Sequence, residues 1–322
     1  MTKYGFFLSC EEYTPREICD QAVMAEEAGF DALWISDHYH PWVDAQGESA
    51  FVWTVLGAIA RETSLPVTTA VTCPLIRTHP AIIAQAAATT AALAGEGRFV
   101  LGVGTGENLN EHILGDRWPP ADVRLEMLEE AVGVTRELWT GEWVTHHGRH
   151  YTVENARIYS LPDTPPPIYV SGFGPKATEL AARIGDGYVS TKPEAELVQT
   201  YVDAGGKGPK QGGMKLCWGP DEEECQKTVH RLWGANSVPG EAAQELPMPG
   251  HFEQAGEIVT LDQVAKKYSC GPDTDVHVES FRQYEEAGYD EVYTSQIGGA
   301  GRDFFRWAAD ELLPRLREGS GG

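Results

Sequence analysis

The chain has 322 residues, of which 42% are hydrophobic and 23% charged, a balance ordinary for a globular protein with one large core. The formal net charge of −23 argues against nonspecific binding to nucleic acid or to an anionic membrane surface. No apolar run approaches the length of a membrane span, and the N-terminal stretch lacks the pattern of a signal peptide. These features exclude neither an enzyme nor a binding protein.

The six cysteines are scattered along the chain: Cys10, Cys19, Cys73, Cys217, Cys225 and Cys270. None forms a C-x-x-C pair, and their spacing matches no zinc-binding pattern. We therefore expect reduced thiols that pack as small apolar side chains, in a protein of the cytoplasm.

Predicted strands and helices alternate through the first part of the chain. Strands are expected at residues 4–8, 32–36, 67–72 and 99–104, and helices at 14–29, 50–61, 79–93 and 124–140. The first helix has the clearest boundaries, with Pro15 in its first turn and Gly29 as a stop.

An insertion at about residues 143–167 interrupts the alternation, with a possible hairpin around His147-Gly148. A second insertion is expected at about 234–260, and a flexible tail at 319–322. Between them we expect strands at 168–171, 187–190, 215–218 and 291–294, and helices at 175–184, 221–233, 261–267, 275–287 and 302–318. The whole of residues 1–318 is predicted to form one domain.

About eight βα units with short connections predict an α/β fold of the (β/α)8 TIM barrel type. The competing architecture is a doubly wound open sheet. Its phosphate-binding fingerprint G-x-G-x-x-G is absent, since Gly102-Val-Gly104-Thr-Gly106 has only the first spacing.

Polar side chains follow the first, second and fourth predicted strands. Glu11 follows the first, His38 and Trp42 follow the second, and Glu107 follows the fourth. In a barrel these strand ends share one rim, where ligands bind. A histidine and two carboxylates in an apolar mouth have the ingredients of general acid–base catalysis. Taken singly, each has an ordinary explanation: packing for His38 and Trp42, solvation for Glu11 and helix capping for Glu107.

A metal site and a cysteine nucleophile have weaker support. His38 and His40 are two residues apart on a non-helical turn, with no third ligand spaced to join them. Cys10 and Cys73 have no neighbour in sequence that would lower a thiol pKa. We therefore expect no metal.

Two motifs carry a resemblance to a known family. Ser36-Asp37-His38 with Pro41-Trp42, and Val103-Gly104-Thr105-Gly106-Glu107 with Leu109-Asn110-Glu111, resemble the F420-dependent oxidoreductases of the bacterial luciferase-like superfamily. The F420-dependent glucose-6-phosphate dehydrogenases are the most similar members. The resemblance runs from Gly5 to about Leu316. It implies an eight-stranded barrel, coenzyme F420 in its mouth, hydride transfer between an alcohol carbon and the deazaflavin ring, and a homodimer.

The resemblance also implies roles for individual residues. His38 matches the base that takes the hydroxyl proton, Trp42 the indole beside it, Glu107 a proton donor and Glu11 its partner. The bond Ala70–Val71 matches a cis peptide that lies against the ring. The positions matching cofactor-binding residues are Asp37, Ala70, Val71, Thr105, Gly106, Asn110, Gly172, Phe173, Gly174 and Thr191.

One departure from the family concerns the substrate. The stretch Leu232–Ala265 contains no lysine or arginine, and only Lys192 and Lys267 match cationic phosphate-binding positions, the latter in place of an arginine. Another phosphorylated sugar or an uncharged alcohol therefore fits as well as glucose 6-phosphate, unless a cation elsewhere, such as Lys215, holds the phosphate. An FMN-dependent luciferase-like monooxygenase and a non-catalytic ligand-binding barrel are the alternative functions.

Overall fold

A computed structural model describes residues 2–237 and 241–319. The strands and helices are numbered in chain order. The main sheet contains β1 (Lys3–Leu8), β2 (Ala32–Ile35), β3 (Val67–Thr69), β4 (Phe99–Val103), β7 (Ile168–Ser171), β8 (Gly187–Ser190), β9 (Lys210–Trp218), β10 (Ser269–Gly271) and β11 (Glu291–Gln296). A separate hairpin contains β5 (Val144–His147) and β6 (Thr152–Ala156).

The main sheet closes into a barrel of eight parallel strands. Its order is β1-β2-β3-β4-β7-β8-β9-β11, and β11 pairs with β1 to complete the ring. The short β10 pairs with the carboxyl-terminal end of β9. The predicted (β/α)8 barrel is therefore confirmed, and the open doubly wound sheet is excluded.

Helices connect the strands on the outside of the barrel. They are α1 (Pro15–Ala28), α2 (Val52–Glu62), α3 (Pro80–Ala94), α4 (Asn108–Glu111), α5 (Ala121–Leu138), α6 (Pro175–Ile184), α7 (Ala195–Asp203), α8 (Glu222–Trp233), α9 (Ala242–Glu245), α10 (Pro249–Gly256), α11 (Leu261–Lys267), α12 (Thr274–Ala287), α13 (Arg302–Trp307) and α14 (Leu313–Gly319). A π-helical turn, Ala308–Leu312, joins the last two. None of the helices in the described ranges is long and apolar enough to cross a membrane.

The ends of α1 follow directly from its sequence. The Thr14 hydroxyl accepts the backbone N–H of Glu17, whose carboxylate accepts the N–H of Thr14 in return, so that two otherwise unpaired donors are satisfied. Gly29 ends the helix in the left-handed conformation, with φ 91°.

Both predicted insertions carry short elements of their own. The first contains the β5–β6 hairpin, and Glu130 of α5 accepts the backbone N–H groups of His150 (3.0 Å) and Tyr151 (2.9 Å) next to it. The second contains α9 and α10. Residues 238–240 of this insertion and residues 320–322 of the predicted tail lie outside the described residues, whereas α14 extends to Gly319.

The structure shortens one predicted strand, lengthens another and adds elements that were not predicted. β3 ends at Thr69 instead of residue 72, β9 begins at Lys210 instead of residue 215, and β10 and α7 are additional. The start of β9 contains Gly212-Gly213, which resembles a loop in sequence because glycine is rare in strands. A Cβ at Gly213 would lie 2.0 Å from Cζ3 of Trp34, so close packing inside the barrel accounts for this glycine.

Trp34 anchors the interior of the barrel below its mouth. Its ring stacks on Tyr293 with centroids 4.5 Å apart, and its Nε1 donates to Oε1 of Gln211 at 2.9 Å. Gln211 in turn donates from Nε2 to Glu291 at 2.8 Å. The barrel centre is therefore filled by aromatic and hydrogen-bonded side chains.

The contact between Gly213 and Trp34 predicts that Gly213→Ala destabilises the protein. A methyl group there must displace the indole, and such overpacking costs about 1–3 kcal/mol. The control is Gly133→Ala, in an exposed part of α5 where an added Cβ meets nothing within 4 Å. We expect that variant to be stabilised by about 0.5–1 kcal/mol. Thermal unfolding midpoints compare the two variants, and equal midpoints would contradict the packing described for Trp34.

Candidate active site

His38 and Glu11 meet at the mouth of the barrel, after β2 and β1. The His38 Nε2 atom lies 3.5 Å from Glu11 Oε1, and Nδ1 lies 3.2 Å from the backbone oxygen of His40. Because a carbonyl oxygen can only accept, Nδ1 carries a hydrogen and Nε2 is the atom that binds or releases a proton. A proton taken up at Nε2 therefore lies directly against a carboxylate.

Glu11 is a buried carboxylate with hydroxyl donors and groups of positive charge around it. Its Oε2 accepts hydrogen bonds from the hydroxyls of Ser9 (2.8 Å) and Ser36 (2.7 Å). Burial alone would raise the pKa of Glu11, but the charges of His38 and Lys215 and the two serine hydroxyls outweigh it and lower the pKa below its ordinary value. Glu11 is therefore ionised at neutral pH and stabilises a proton on His38.

Trp42 forms an aromatic wall beside this pair. Its ring centroid lies 5.1 Å from that of His38 and 5.2 Å from that of Phe252 in α10. Its backbone N–H donates to Gln46 Oε1 at 2.7 Å, and Gln46 Nε2 donates to the Leu232 carbonyl at 3.0 Å. The second insertion thus closes one side of the mouth with apolar side chains.

Glu107 stands at the start of α4 but does not cap it. Its carboxylate accepts no backbone N–H of the first turn, and its Oε2 accepts a hydrogen bond from the Asn110 side-chain Nδ2 at 3.5 Å. Asn110 is buried, and its Oδ1 accepts the backbone N–H groups of Tyr39 (2.9 Å) and His40 (3.0 Å). Asn110 therefore holds the loop that carries His38, and the carboxyl group of Glu107 is not engaged in helix capping.

Both oxygens of the Asp37 carboxylate accept hydrogen bonds from protein side chains. Its Oδ1 accepts from Arg77 Nη2 at 2.9 Å, and its Oδ2 accepts from the Thr72 hydroxyl at 2.8 Å. Arg77 also bonds Glu111, through its Nε at 3.3 Å and its backbone N–H at 3.0 Å. This buried cluster fastens the ends of β2, β3 and β4 to one another. Contact between Asp37 and a cofactor remains a prediction, and sequence reasoning missed Arg77.

The strand ends of β3 and β4 form a crowded, apolar floor. Ala70–Val71 is a cis peptide bond, as the resemblance implies. A Cβ at Gly104 would lie 2.7 Å from Val71 Cγ2, and one at Gly106, with φ 69°, would lie 2.5 Å from Cys73 Sγ. Neither glycine has room for a side chain, and the crowding comes from the protein itself. Thr105 lies between them, and its contact with a cofactor remains a prediction.

The ends of β7 and β8 complete the neighbouring part of the rim. A Cβ at Gly172 would lie 2.8 Å from the backbone nitrogen of Thr178, and Gly174 precedes α6. The side chain of Phe173 is exposed, and the carbonyl of Thr191 accepts from the Tyr284 hydroxyl at 2.9 Å. Their cofactor contacts remain predictions.

The two predicted phosphate cations are held by different groups. Lys192 Nζ donates to the Phe173 carbonyl at 3.2 Å and lies 3.6 Å from Glu194. Lys267 Nζ donates to the Asn236 carbonyl, and burial lowers its pKa. No partner is shared between the two lysines.

Lys215, on β9, is a half-buried cation whose ammonium group lies against two aromatic rings. Its Nζ lies 3.9 Å from the ring centroid of Trp233 and 4.4 Å from that of Phe7. Burial lowers its pKa, and the charges of Glu11 and Glu12 oppose that shift. Sequence reasoning considered Lys215 only as an alternative phosphate ligand, because its nearness to Glu11 depends on barrel closure.

Other chemistries receive no support from the described residues. Within residues 2–237 and 241–319, no group of three or more His, Cys, Asp or Glu side chains is placed to hold a metal ion. Burial raises the pKa of both Cys10 and Cys73 well above the ordinary value for a thiol. Neither thiol is therefore a ready nucleophile.

Comparison with known proteins assigns the family. Residues 2–291 match the family described as luciferase-like monooxygenase, and the chain belongs to it. The chain is similar to "F420-dependent glucose-6-phosphate dehydrogenase" of Nakamurella multipartita, with 36% identity over 98% of this chain and 96% of that protein. The protein of the same name from Microbacterium testaceum is 35% identical, with 98% of each chain covered.

Two solved structures are similar to this one over nearly the whole chain. An F420-dependent secondary alcohol dehydrogenase, in complex with an F420-acetone adduct, has a TM-score of 0.89 and 29% identity, covering 98% of this chain and 99% of that one. The coenzyme F420 dependent tetrahydromethanopterin reductase of Methanopyrus kandleri has a TM-score of 0.79 and 20% identity over 98% and 99% of the two chains. The second likeness supports the fold alone.

The buried cluster around Arg77 predicts a large loss of stability in Arg77→Met. The substitution leaves Asp37 and Glu111 buried without a counter-ion, which costs about 3–5 kcal/mol. The control is Arg183→Met, because Arg183 pairs with Glu129 on the surface, where such pairs contribute about 0–1 kcal/mol. Chemical unfolding of both variants measures the difference, and a mild effect at Arg77 would contradict its role as a fastening residue.

Proposed function

We propose that this protein is an F420-dependent oxidoreductase that transfers a hydride between a secondary alcohol or hemiacetal carbon and the deazaflavin ring. One observation carries the proposal: the His38–Glu11 pair stands beside Trp42 at the mouth of the barrel. The full-length similarity to proteins named for F420 supports it. A protein that only binds a ligand has no need of a proton-transfer pair.

The residues present fit a flat, largely apolar ring. Gly104 and Gly106 carry no side chains, and Ala70 and Val71 pack on an apolar cluster that includes Phe7 and forms the adjoining floor. When bound, F420 supplies the group that accepts or donates the hydride. Gly172, Phe173, Gly174 and Thr191, on the neighbouring rim, are proposed to hold the rest of the cofactor, together with Asp37, Thr105 and Asn110.

The chain's own residues handle the protons. In the oxidation direction, His38 Nε2 takes the hydroxyl proton while Glu11 stabilises the resulting imidazolium. Trp42 keeps water from one side of the pair and limits the width of the pocket. Glu107, whose carboxyl group caps no helix, is proposed to hold the second proton of the reaction.

An uncharged secondary alcohol is the favoured substrate class. Trp42 and Phe252, with the adjacent Ala243 and Leu246, present an apolar wall, and Lys192 and Lys267 already have other partners. The structural neighbour named as a secondary alcohol dehydrogenase is consistent with this class. A sugar phosphate is the second candidate, because the similar curated proteins are named for glucose 6-phosphate.

A cytoplasmic homodimer is part of the same proposal. The family resemblance supports the dimer, and the six unpaired cysteines are consistent with a reducing compartment. The native mass in solution tests the homodimer, and localisation of a tagged chain in its native host tests the cytoplasmic location.

The choice of substrate is tested by following the loss of F420 absorbance with propan-2-ol, cyclohexanol and glucose 6-phosphate. We expect turnover of the neutral alcohols and a much higher KM for the phosphate. Each missing charge-assisted hydrogen bond is worth about 1.5–3 kcal/mol, or one to two orders of magnitude in binding. A micromolar KM for glucose 6-phosphate that rises in Lys192→Ala or Lys267→Ala would reverse this preference. Binding of FMN in place of F420 would instead indicate the monooxygenase.

Removal of the His38 imidazole is predicted to slow the chemical step while F420 binding is little changed. We expect His38→Ala to lower kcat by about 10²–10⁴ because no other group in the mouth replaces Nε2, while F420 affinity stays within a few-fold. The control is His147→Ala, on the exposed β5–β6 hairpin, which should turn over normally. Single-turnover rates measure the chemical step, and F420 titrations measure the cofactor affinity. A near-normal kcat in His38→Ala would show that His38 is not the general base.

A further inference from the structure

Arg124 is a buried arginine on α5 whose partners lie in the second insertion. Its side chain is 2% exposed. The Nη2 atom donates to the side-chain Oε1 of Gln244 at 3.0 Å, and Nη1 lies 3.4 Å from Oε1 of Glu245. Nη1 also donates to the carbonyl of Pro119 at 2.8 Å. Two of the three polar partners of this guanidinium group therefore belong to α9.

The remaining contacts of Arg124 do not replace those from α9. Its Cζ lies 4.4 Å from the ring centroid of Trp118, so an aromatic ring covers one face of the guanidinium plane. Its Nε has no hydrogen-bond partner among the described residues. Without α9, the buried cation would keep only the Pro119 carbonyl and the Trp118 ring, and an incompletely paired buried charge is costly. The charge of Arg124 therefore favours the docked position of α9.

A second hydrogen bond fastens α9 to α4. Asn108 Nδ2 donates to the backbone oxygen of Glu245 at 2.9 Å. Asn108 is the first residue of α4 and directly follows Glu107. The short helix α9 is therefore attached both to α5 and to the helix that begins at the mouth of the barrel.

The same short helix carries part of the apolar wall of the mouth. Ala243 and Leu246 are three residues apart, so they lie on one side of the helical turn. Both pack in the apolar cluster that contains Trp42 and Phe252. The two residues between them are the ones that bind Arg124. A shift of α9 away from α5 would therefore move this part of the wall.

We propose that Arg124 is a positioning residue that fixes α9 as one wall of the substrate pocket and thereby sets the size of the alcohol that the protein accepts. The effect on substrate size rests on the proposed function, whereas the attachment of α9 does not. His38 and Glu11 are held by residues of the loops after β1 and β2, so they stay in place when α9 loosens. A small alcohol then loses contacts with the wall, whereas a bulkier alcohol gains room.

The attachment of α9 is measured in the protein without cofactor by hydrogen–deuterium exchange. The backbone N–H groups of Gln244 and Leu246 donate to carbonyls within the peptide 241–246, so their exchange reports whether this helix is intact. We expect Arg124→Met to raise the exchange rate of this peptide about tenfold or more. Arg124→Lys keeps the charge and should restore part of the protection.

The matched control is an arginine on the same helix that points to another neighbour. Arg136 Nη2 donates to Asp186 at 2.9 Å, and Arg136→Met should leave the exchange of α9 unchanged. The double variant Gln244→Ala/Glu245→Ala removes the contacts from the α9 side and leaves α5 intact. It replaces Arg124→Met if the latter does not fold.

The size of the accepted alcohol is measured by steady-state kinetics with F420, propan-2-ol and cyclohexanol. We expect Arg124→Met to raise the KM for propan-2-ol about tenfold, with kcat within a few-fold of the parent, because the wall contributes binding and no proton transfer. The KM for cyclohexanol should stay within a few-fold. Arg136→Met should leave the ratio of the two kcat/KM values unchanged.

Each result bears on a different part of the proposal. Unchanged exchange of α9 in Arg124→Met overturns it. Faster exchange with an unchanged ratio of the two kcat/KM values also overturns it, as does an equal fall in kcat for both alcohols, which a general loss of structure would cause. Faster exchange in a protein whose parent oxidises no alcohol supports the attachment by Arg124 and removes the proposed function instead.

Discussion

A buried carboxylate at the mouth of the barrel is the constraint on which the site depends. Glu11 is 2% exposed, and an ionised group so placed is costly unless charges and hydrogen bonds replace its water. The replacement comes from Ser9, two residues earlier in sequence, and from Ser36 and His38 after β2, and the charge of Lys215 on β9 also favours the ionised form of Glu11. The chemistry and the closure of the barrel are therefore coupled, because a displaced strand would leave this carboxylate unpaired.

The surrounding loops are held by the same kind of contact. Arg77 joins Asp37 to Glu111, Asn110 holds the backbone after β2, and Gln46 links that loop to the end of α8. Each is a buried polar group with partners on a different element, and such groups specify a loop conformation more strictly than apolar packing does. The His38 ring is consequently oriented before any ligand arrives, which is what general-base catalysis requires.

Fold and substrate preference rest on different parts of the chain. Residues 2–291 match one family, and the chain is similar both to proteins named for glucose 6-phosphate and to one named for a secondary alcohol. The wall from α9 and α10 is apolar where it meets Trp42, and the ammonium group of Lys215 lies against the rings of Trp233 and Phe7. The chemistry of the mouth and the selection of the substrate can therefore change separately.

The sequence by itself determined the barrel, the family and the nearness of His38 to Glu11 and Trp42. Alternating periodicity, glycine and proline boundaries and short motifs are local signals, and parallel strands place their carboxyl ends on one rim whatever their spacing in the chain.

Only the tertiary structure decided which partners the charged groups have. Asp37 matched a cofactor position, yet both of its oxygens are bound by Arg77 and Thr72. Lys267 matched a phosphate position, yet it bonds the carbonyl of Asn236. Lys215 was considered as a phosphate ligand, yet its ammonium group lies against the rings of Trp233 and Phe7. These pairings join residues far apart in the chain, and a charge in sequence has no defined neighbour until the ring of strands closes around it.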